Sequence, residues 1–298
     1  MKVARGTCET HFRIMKKYSL LIAILVMMLA SCTKWTALQN TQDFEYKYEA
    51  AKSLYAEGKY SQASMYFAEV LAIMKGTANA EESLYMAGMS NFKNKDYESA
   101  SMYFRKYYQV YPKGLYVEYA RYYCGLSLYN MTPDPRLDQQ STYEAIKEFQ
   151  EFLDLYPYTS IKAETHDMIY KLQDKLVEKE YLSAKLYYDL GAYAMNCAYG
   201  GSNYEACVVT AQNALRDFPF ANADRREELS IMILRSRFCL AEQSVDTKRV
   251  NRYRDCIDEY YSFVNDFPES KYIKEAEKIM EKSTDFVNKH ASKDEVVD

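Results

Sequence analysis

Residues 59–67 read KYSQASMYF and residues 96–104 read DYESASMYF, so one pattern returns after 37 residues. The offset holds beyond those stretches. It links Tyr48, Tyr85 and Tyr122, it links Ala51, Gly88 and Gly125, and it links Tyr55, Phe92 and Tyr129. A period of this size marks a stacked array of small helical or mixed units rather than one core. Inside each unit the spacing is helical. A small residue, Ala63 or Ala100, stands four positions before Phe67 or Phe104, which places both on one helix face. Small side chains let two antiparallel helices approach closely, and the aromatic rings beside them fill the remaining volume.

The pattern extends along the chain through its endings. Tyr111-Pro112, Tyr156-Pro157, Phe218-Pro219 and Phe267-Pro268 each close a unit, because proline cannot continue a helix. Twelve positions before those prolines stand Ala100, Ala145, Cys207 and Cys256, and three positions earlier stand Tyr97, Thr142, Tyr204 and Tyr253. The first unit ends differently, in Met74-Lys75-Gly76. Insertions at 132–141, 199–203 and 244–250, marked by Pro133, Pro135, Gly200 and Gly201, read as loops between the helices of units three, four and five. The whole resembles the tetratricopeptide repeat, in which helix pairs stack into a superhelix. The expected fold class is all-α, with five tetratricopeptide-like helix pairs in a right-handed superhelical solenoid. A C-terminal capping helix over 272–287 presents Ile273, Ala276, Ile279 and Met280 on one apolar face. Units one to three then occupy 44–158, units four and five with the cap 159–288, and a charged, frayed tail 289–298.

Composition agrees. Among 298 residues there are only 9 Gly and 6 Pro, too few for a chain built of tight β-turns. The formal net charge of −4 exerts no general attraction on nucleic acid, and none is expected as a partner. The 31 tyrosines require a separate explanation.

The N-terminus reads as an address. Lys16 and Lys17 precede an apolar run over 20–29, followed by Leu29-Ala30-Ser31-Cys32. A basic segment, a short apolar run and small residues before a cut site define a secretory signal, here 1–31. The run is too short to span a bilayer comfortably. Leu-Ala-Ser-Cys resembles the bacterial lipoprotein box, which implies that Cys32 becomes the first mature residue and carries lipid, with 32–43 as a linker. A plain signal peptide that contains a cysteine is the alternative. Met15 opens a better-proportioned signal than Met1. The residues after Cys32, Thr-Lys-Trp-Thr, lack an acidic run of the kind that resembles a surface-export signal, so the expected location is the periplasmic face of the outer membrane, reached through a lipid anchor and not a spanning helix.

Residues that could carry chemistry are sparse. Cys124, Cys197, Cys207, Cys239 and Cys256 remain beyond Cys32. Cys207 and Cys256 fall in the slot that alanine fills in units two and three, which reads as core packing. A disulfide stays open, with Cys239–Cys256 the pair to test. No CxxC pair is present, and no metal or other cofactor is expected. His11, His166 and His290 are scattered, and there is no phosphate loop, nucleophile elbow or HExxH. Glu81-Glu82 and Glu227-Glu228 are adjacent in sequence, which on a helix points them apart; they read as solvated helix starts. An enzyme is not expected.

The aromatics suggest a binding surface. In the tetratricopeptide pattern the first helix of each pair lines the concave face, which here places Tyr48, Lys52 and Tyr55, then Tyr85, Met89 and Phe92, then Tyr119, Tyr122 and Tyr129 along a peptide groove. Packing between repeats is the competing explanation for the same rings.

One stretch is more specific. Pro133-Asp134-Pro135-Arg136-Leu137-Asp138-Gln139-Gln140 precedes Ala145, Phe149 and Tyr156-Pro157; further on come Glu178-Lys179-Glu180, Tyr187-Tyr188 and Leu215-Arg216-Asp217-Phe218-Pro219. Together with the lipobox and five units, this resembles the BamD family of outer-membrane β-barrel assembly lipoproteins, over about 44–286. The resemblance implies a non-catalytic scaffold. It implies docking on the barrel-forming outer-membrane assembly subunit through the C-terminal repeats, and reception of unfolded outer-membrane proteins by the N-terminal repeats. It singles out Arg136, Asp138, Gln139, Tyr187 and Tyr188 as the family-motif loop and helix. It also carries a departure: an arginine by which the family contacts the barrel subunit aligns with Thr210, so that ion pair does not transfer. A periplasmic repeat adaptor lipoprotein of another envelope assembly or polysaccharide system is the alternative.

Overall fold

The computed structural model describes residue 38, residues 41–191 and residues 202–294. Eleven helices follow one another among these residues: α1 (Phe44–Ala56), α2 (Tyr60–Ile73), α3 (Ala78–Lys93), α4 (Tyr97–Val110), α5 (Val117–Met131), α6 (Gln140–Leu155), α7 (Lys162–Leu190), α8 (Asn203–Asp217), α9 (Ala223–Glu242), α10 (Asp246–Asp266) and α11 (Ile273–Asp294). They follow one another as a repeat-like helical solenoid. The chain divides into two compact units, the first ending at Ser127 and the second beginning at Leu128, inside α5. In the first, α1 packs on α2, α2 on α3 and α3 on α4, with α1 also touching α3. In the second, each helix from α6 to α11 packs on its successor, and α9 also meets α7 and α11. Contact between the first helices of successive pairs is what stacks a repeat array.

The core of every unit is the small-residue slot. Ala63, Ala100, Ala145, Cys207 and Cys256 are all completely buried. Four and seven residues on, the same face carries Phe67 and Val70, Phe104 and Tyr107, or Phe149 and Phe152, again with no exposure. The facing helix matches them: a Cβ added at Gly88 would stand 2.7 Å from the Phe104 ring. Cys207 and Cys256 therefore behave as core atoms. Their sulfurs accept hydrogen bonds from Ser236 Oγ at 3.2 Å and Ser283 Oγ at 3.5 Å. Burial pushes both thiols up, Cys256 to about 11. Cys124, Cys207, Cys239 and Cys256 are free thiols, so Cys239–Cys256 is not a bridge; Cys197 lies outside the described residues.

The helix ends explain themselves. Tyr111, Tyr156, Phe218 and Phe267 all cap their helices at φ between −135° and −120° and ψ of 64° to 67°. The following proline excludes the α region for the residue before it. Each cap N–H still donates to the carbonyl four residues back. Three of the rings fold against an aromatic of the preceding turn, Tyr107–Tyr111 at 5.6 Å, Phe152–Tyr156 at 5.4 Å and Phe263–Phe267 at 5.8 Å. Between helices of one pair, Gly58 (φ 77°) and Lys95 (φ 63°) occupy equivalent left-handed positions. Lys59 N–H donates to Leu54 and Asp96 N–H to Asn91, the six-to-one bond of a Schellman ending.

Two helices run longer than the repeat predicts. α10 begins at Asp246, so most of the insertion read at 244–250 extends the helix and only 243–245 are left as connection. α11 continues to Asp294, into the segment read as tail. There the His290 ring stacks on Phe286 at 4.1 Å and its Nδ1 lies 2.9 Å from the Phe286 carbonyl oxygen. The cap is fastened by Arg235 of α9, whose Nε and Nη2 donate to the two Glu275 oxygens at 2.7 and 2.6 Å.

Two outcomes follow. Lys95 is held in a conformation that costs an L side chain about 1 kcal/mol, so Lys95→Gly should raise the urea midpoint by an amount worth about 0.5–1 kcal/mol. Its equivalent Gly58→Ala should lower it. The Arg235 hydrogen bonds hold the Glu275 carboxyl below the usual carboxylate range. A carboxylate with a depressed folded-state pKa stabilises above its unfolded value and loses that contribution as pH falls through the folded one. Arg235→Gln should therefore flatten the fall in thermal stability below about pH 4.5 and leave a smaller difference from the parent at acid pH than at neutrality.

Candidate functional site

In the first unit the expected groove residues separate into two sets. Tyr48, Tyr85, Met89 and Tyr122 are buried. Tyr119 is 55% exposed, and Lys52, Tyr55 and Phe92 are partly exposed. The buried rings interlock. Tyr48 meets Phe67 edge-on at 6.4 Å, Tyr85 lies flat on Tyr116 at 4.5 Å, and Phe92 meets Tyr97 and Tyr123 at 5.5 and 5.2 Å. The Lys52 ammonium sits 4.9 Å over the Tyr48 ring. Rings packed this way are core, while Lys52, Tyr55, Phe92 and Tyr119 keep part of their surface open. Tyr129, also partly exposed, belongs to the second unit, where its carbonyl accepts the Thr132 hydroxyl at 2.8 Å.

The first-unit tyrosines are also fastened by their hydroxyls, and here the carboxylates read as solvated need correcting. The Tyr107 hydroxyl donates to Glu81 Oε1 at 2.6 Å, the Leu115 N–H donates to the same oxygen at 3.0 Å, and the Tyr116 N–H donates to the Tyr107 oxygen at 3.0 Å. The Tyr48 hydroxyl donates to Glu82. Helix start and phenol thus share a charge-assisted bond, within the second pair for Tyr107 and from the first pair to the second for Tyr48. Burial and the neighbouring carboxylate raise the Tyr48 and Tyr107 phenols well above their ordinary range. The signal missed was the distance in sequence: Tyr48 and Glu82 are 34 apart, one unit less one helical turn.

In the second unit the motif loop is an ordered device. Gln139 is buried, and its amide donates to the carbonyls of Asp134 at 2.8 Å and Leu137 at 3.1 Å, while its Oε1 accepts the Thr142 hydroxyl at 2.7 Å. Asp134 and Asp138 accept the N–H groups of Arg136 and Gln140. Lys175 of α7 reaches Thr132 Oγ1 at 2.6 Å and ties the loop to that helix. This framework holds Arg136, Leu137 and Asp138 at the surface, with Leu137 59% exposed. Tyr187 and Tyr188 are elsewhere. Tyr187 lies twelve residues past Lys175 on α7, about 18 Å along its axis, and Tyr188 follows it. Tyr187 is exposed, and Tyr188 packs edge-on against Tyr204 at 5.8 Å. Tyr188 also borders a cleft of about 280 Å³ with Arg235, Phe238, Cys239, Lys278 and Lys282. Nearer the loop, Arg225 of α9 clamps α7 by donating to Glu178 at 2.5 Å, holds Glu228 as well, and lies over the Tyr181 ring at 4.0 Å. Thr210, at the family's arginine position, is partly exposed on α8.

Comparison with known proteins decides the family. The model of an outer membrane lipoprotein family, YfiO, matches residues 40–233, from before α1 into the middle of α9. The chain belongs to this BamD-like YfiO family. No curated protein matches. Among solved structures, a protein described as a protein-binding protein from Bacteroides ovatus ATCC 8483 is similar, with 11% identity and a TM-score of 0.30; the match covers 74% of this chain and 100% of that one. As a YfiO lipoprotein the chain is associated with the outer membrane, and among the described residues no helix is long and apolar enough to cross one. No group of three or more His, Cys, Asp or Glu is placed to hold a metal among them either.

Gln139 is the residue on which the loop depends. Gln139→Ala should leave the Thr142 hydroxyl and two carbonyls without their partner and cost about 1–3 kcal/mol locally. Hydrogen exchange should then speed up over 134–142 and stay unchanged in α1–α4.

Proposed function

We propose that this chain is a non-enzymatic scaffold lipoprotein of the outer-membrane β-barrel assembly machinery. Its signal, 1–31, is removed, Cys32 carries the lipid, and residues 32–43 link it to the repeats on the periplasmic face. The N-terminal repeats, 44–158, receive unfolded outer-membrane proteins. The C-terminal repeats and cap, 159–288, dock on the barrel-forming subunit. The observation that carries this reading is the YfiO family match over residues 40–233.

Exposed side chains in both sets of repeats support this reading. An extended client segment would meet the partly open Lys52, Tyr55, Phe92 and Tyr119 edge, where amphipathic rings offer apolar area beside polar tips. The ordered loop offers Arg136, Leu137 and Asp138 without ordering cost, and preorganised contacts lose less affinity on binding. In the docking repeats, Tyr187 stands exposed on α7 and is the contact offered to the barrel-forming subunit.

Affinity purification of the detergent-solubilised lipoprotein should recover a β-barrel protein with periplasmic repeats. If no such barrel co-purifies, the assembly role is wrong. Tyr187→Glu, in the docking repeats, should lower that recovery by roughly tenfold or more, as expected for a central contact, while the urea midpoint stays at the parent value.

A further inference from the structure

The first unit carries an apolar groove that the client-binding face does not use. It has a volume of about 560 Å³ and lies between the second helices of the first two pairs. Ala68, Leu71 and Ala72 of α2 form one wall, and Tyr103 and Val110 of α4 form the other. Helical spacing puts Met65 on the same face as Ala68 and Ala72, and Met65 is 43% exposed. Its equivalent 37 residues on, Met102, is 67% exposed one turn before Lys106.

The groove exists because unit one ends differently. Where unit two has Tyr111-Pro112, unit one has Met74-Lys75, and the chain leaves through Gly76 at φ 85°. Lys75 therefore borders the groove in place of a proline, and Lys106 of α4 borders it as well. Both lysines are exposed, and no carboxylate lines the groove among the described residues. An apolar trough with two ammonium groups at its edge fits an anionic amphiphile. Its size falls within the roughly 300–1,000 Å³ of small-ligand sites.

We propose that this groove holds an anionic phospholipid of the membrane surface, with an acyl chain against Leu71 and Tyr103 and the phosphate on Lys75 and Lys106. The source is argued from the tether. Eleven residue steps separate Cys32 from Asp43, the N-cap of α1, so a chain anchored at Cys32 keeps the start of α1 within about 40 Å of the membrane. This part of the case rests on the lipid-anchor reading. The anchor keeps the first unit near charged headgroups, and the two lysines at the groove supply a contact that selects for headgroup charge.

The lipidated protein, reconstituted in phosphatidylcholine vesicles that contain phosphatidylglycerol with a diazirine in its acyl chain, tests this directly. Photolabel should map to peptides carrying Leu71 or Tyr103, and a phosphatidylcholine probe should label them weakly. Lys75→Glu with Lys106→Glu should raise the phosphatidylglycerol needed for half-maximal labelling by roughly thirtyfold, from about fivefold per lysine, without moving the urea midpoint. Equal labelling by both probes, label confined to other helices, or an unchanged titration in the double variant would overturn the proposal. So would cross-links showing the chain's own residues 33–40, or a bound protein, in the groove. The mass of the N-terminal peptide separates the two readings: an unmodified Cys32 would remove the anchor, while charge-selective labelling would still establish the groove.

Discussion

The close approach of two helices at one small side chain governs this molecule. In every pair the second helix carries Ala63, Ala100, Ala145, Cys207 or Cys256 at the point of contact, and none exposes any surface. Cores packed at crystal-like density do not absorb an extra methylene there without displacing a ring. Because each pair repeats that contact, each compact unit is built from successive helix-on-helix contacts. In the first three pairs the residues four and seven positions on, from Phe67 and Val70 to Phe149 and Phe152, fill the space beside that contact and are fully buried.

Much of this was legible in residue order. The 37-residue offset located the pairs, the aromatic-proline dipeptides located the helix ends, and the alanine register assigned Cys207 and Cys256 to the core. What was not legible was anything set by contacts between separate helices. Glu81 and Glu82 look like ordinary acidic helix starts in one dimension, and only the fold brings the Tyr107 and Tyr48 hydroxyls to them. The same limit applies to the proposed groove stripe. Period assigns Tyr48, Tyr85 and Tyr122 to a helix face, but whether a ring is covered depends on the neighbouring pair, and all three are buried. Helix lengths escaped for a related reason: α10 starts two turns before Tyr253 because the insertion has helix-forming residues and no breaker.

The motif loop shows how a scaffold displays a variable segment without losing order. One buried amide, Gln139, gathers two carbonyls and a hydroxyl, and Lys175 fixes the far end. Loops that carry function on repeat arrays need such internal support, because they lie outside the stacked helices. The separation between this loop and Tyr187 along α7 means the two family-motif elements address different places on any partner.

The buried sulfurs have a consequence in time. Cys207 and Cys256 are sealed by helix packing and hydrogen-bonded by serines of the facing helix, with their thiols held protonated. Thiolate is the reactive form, so after folding these two positions are chemically silent. Before folding they are ordinary exposed thiols. Oxidation therefore competes with this chain only during the interval between synthesis and stacking, and the speed at which its helices pair sets how long that interval stays open.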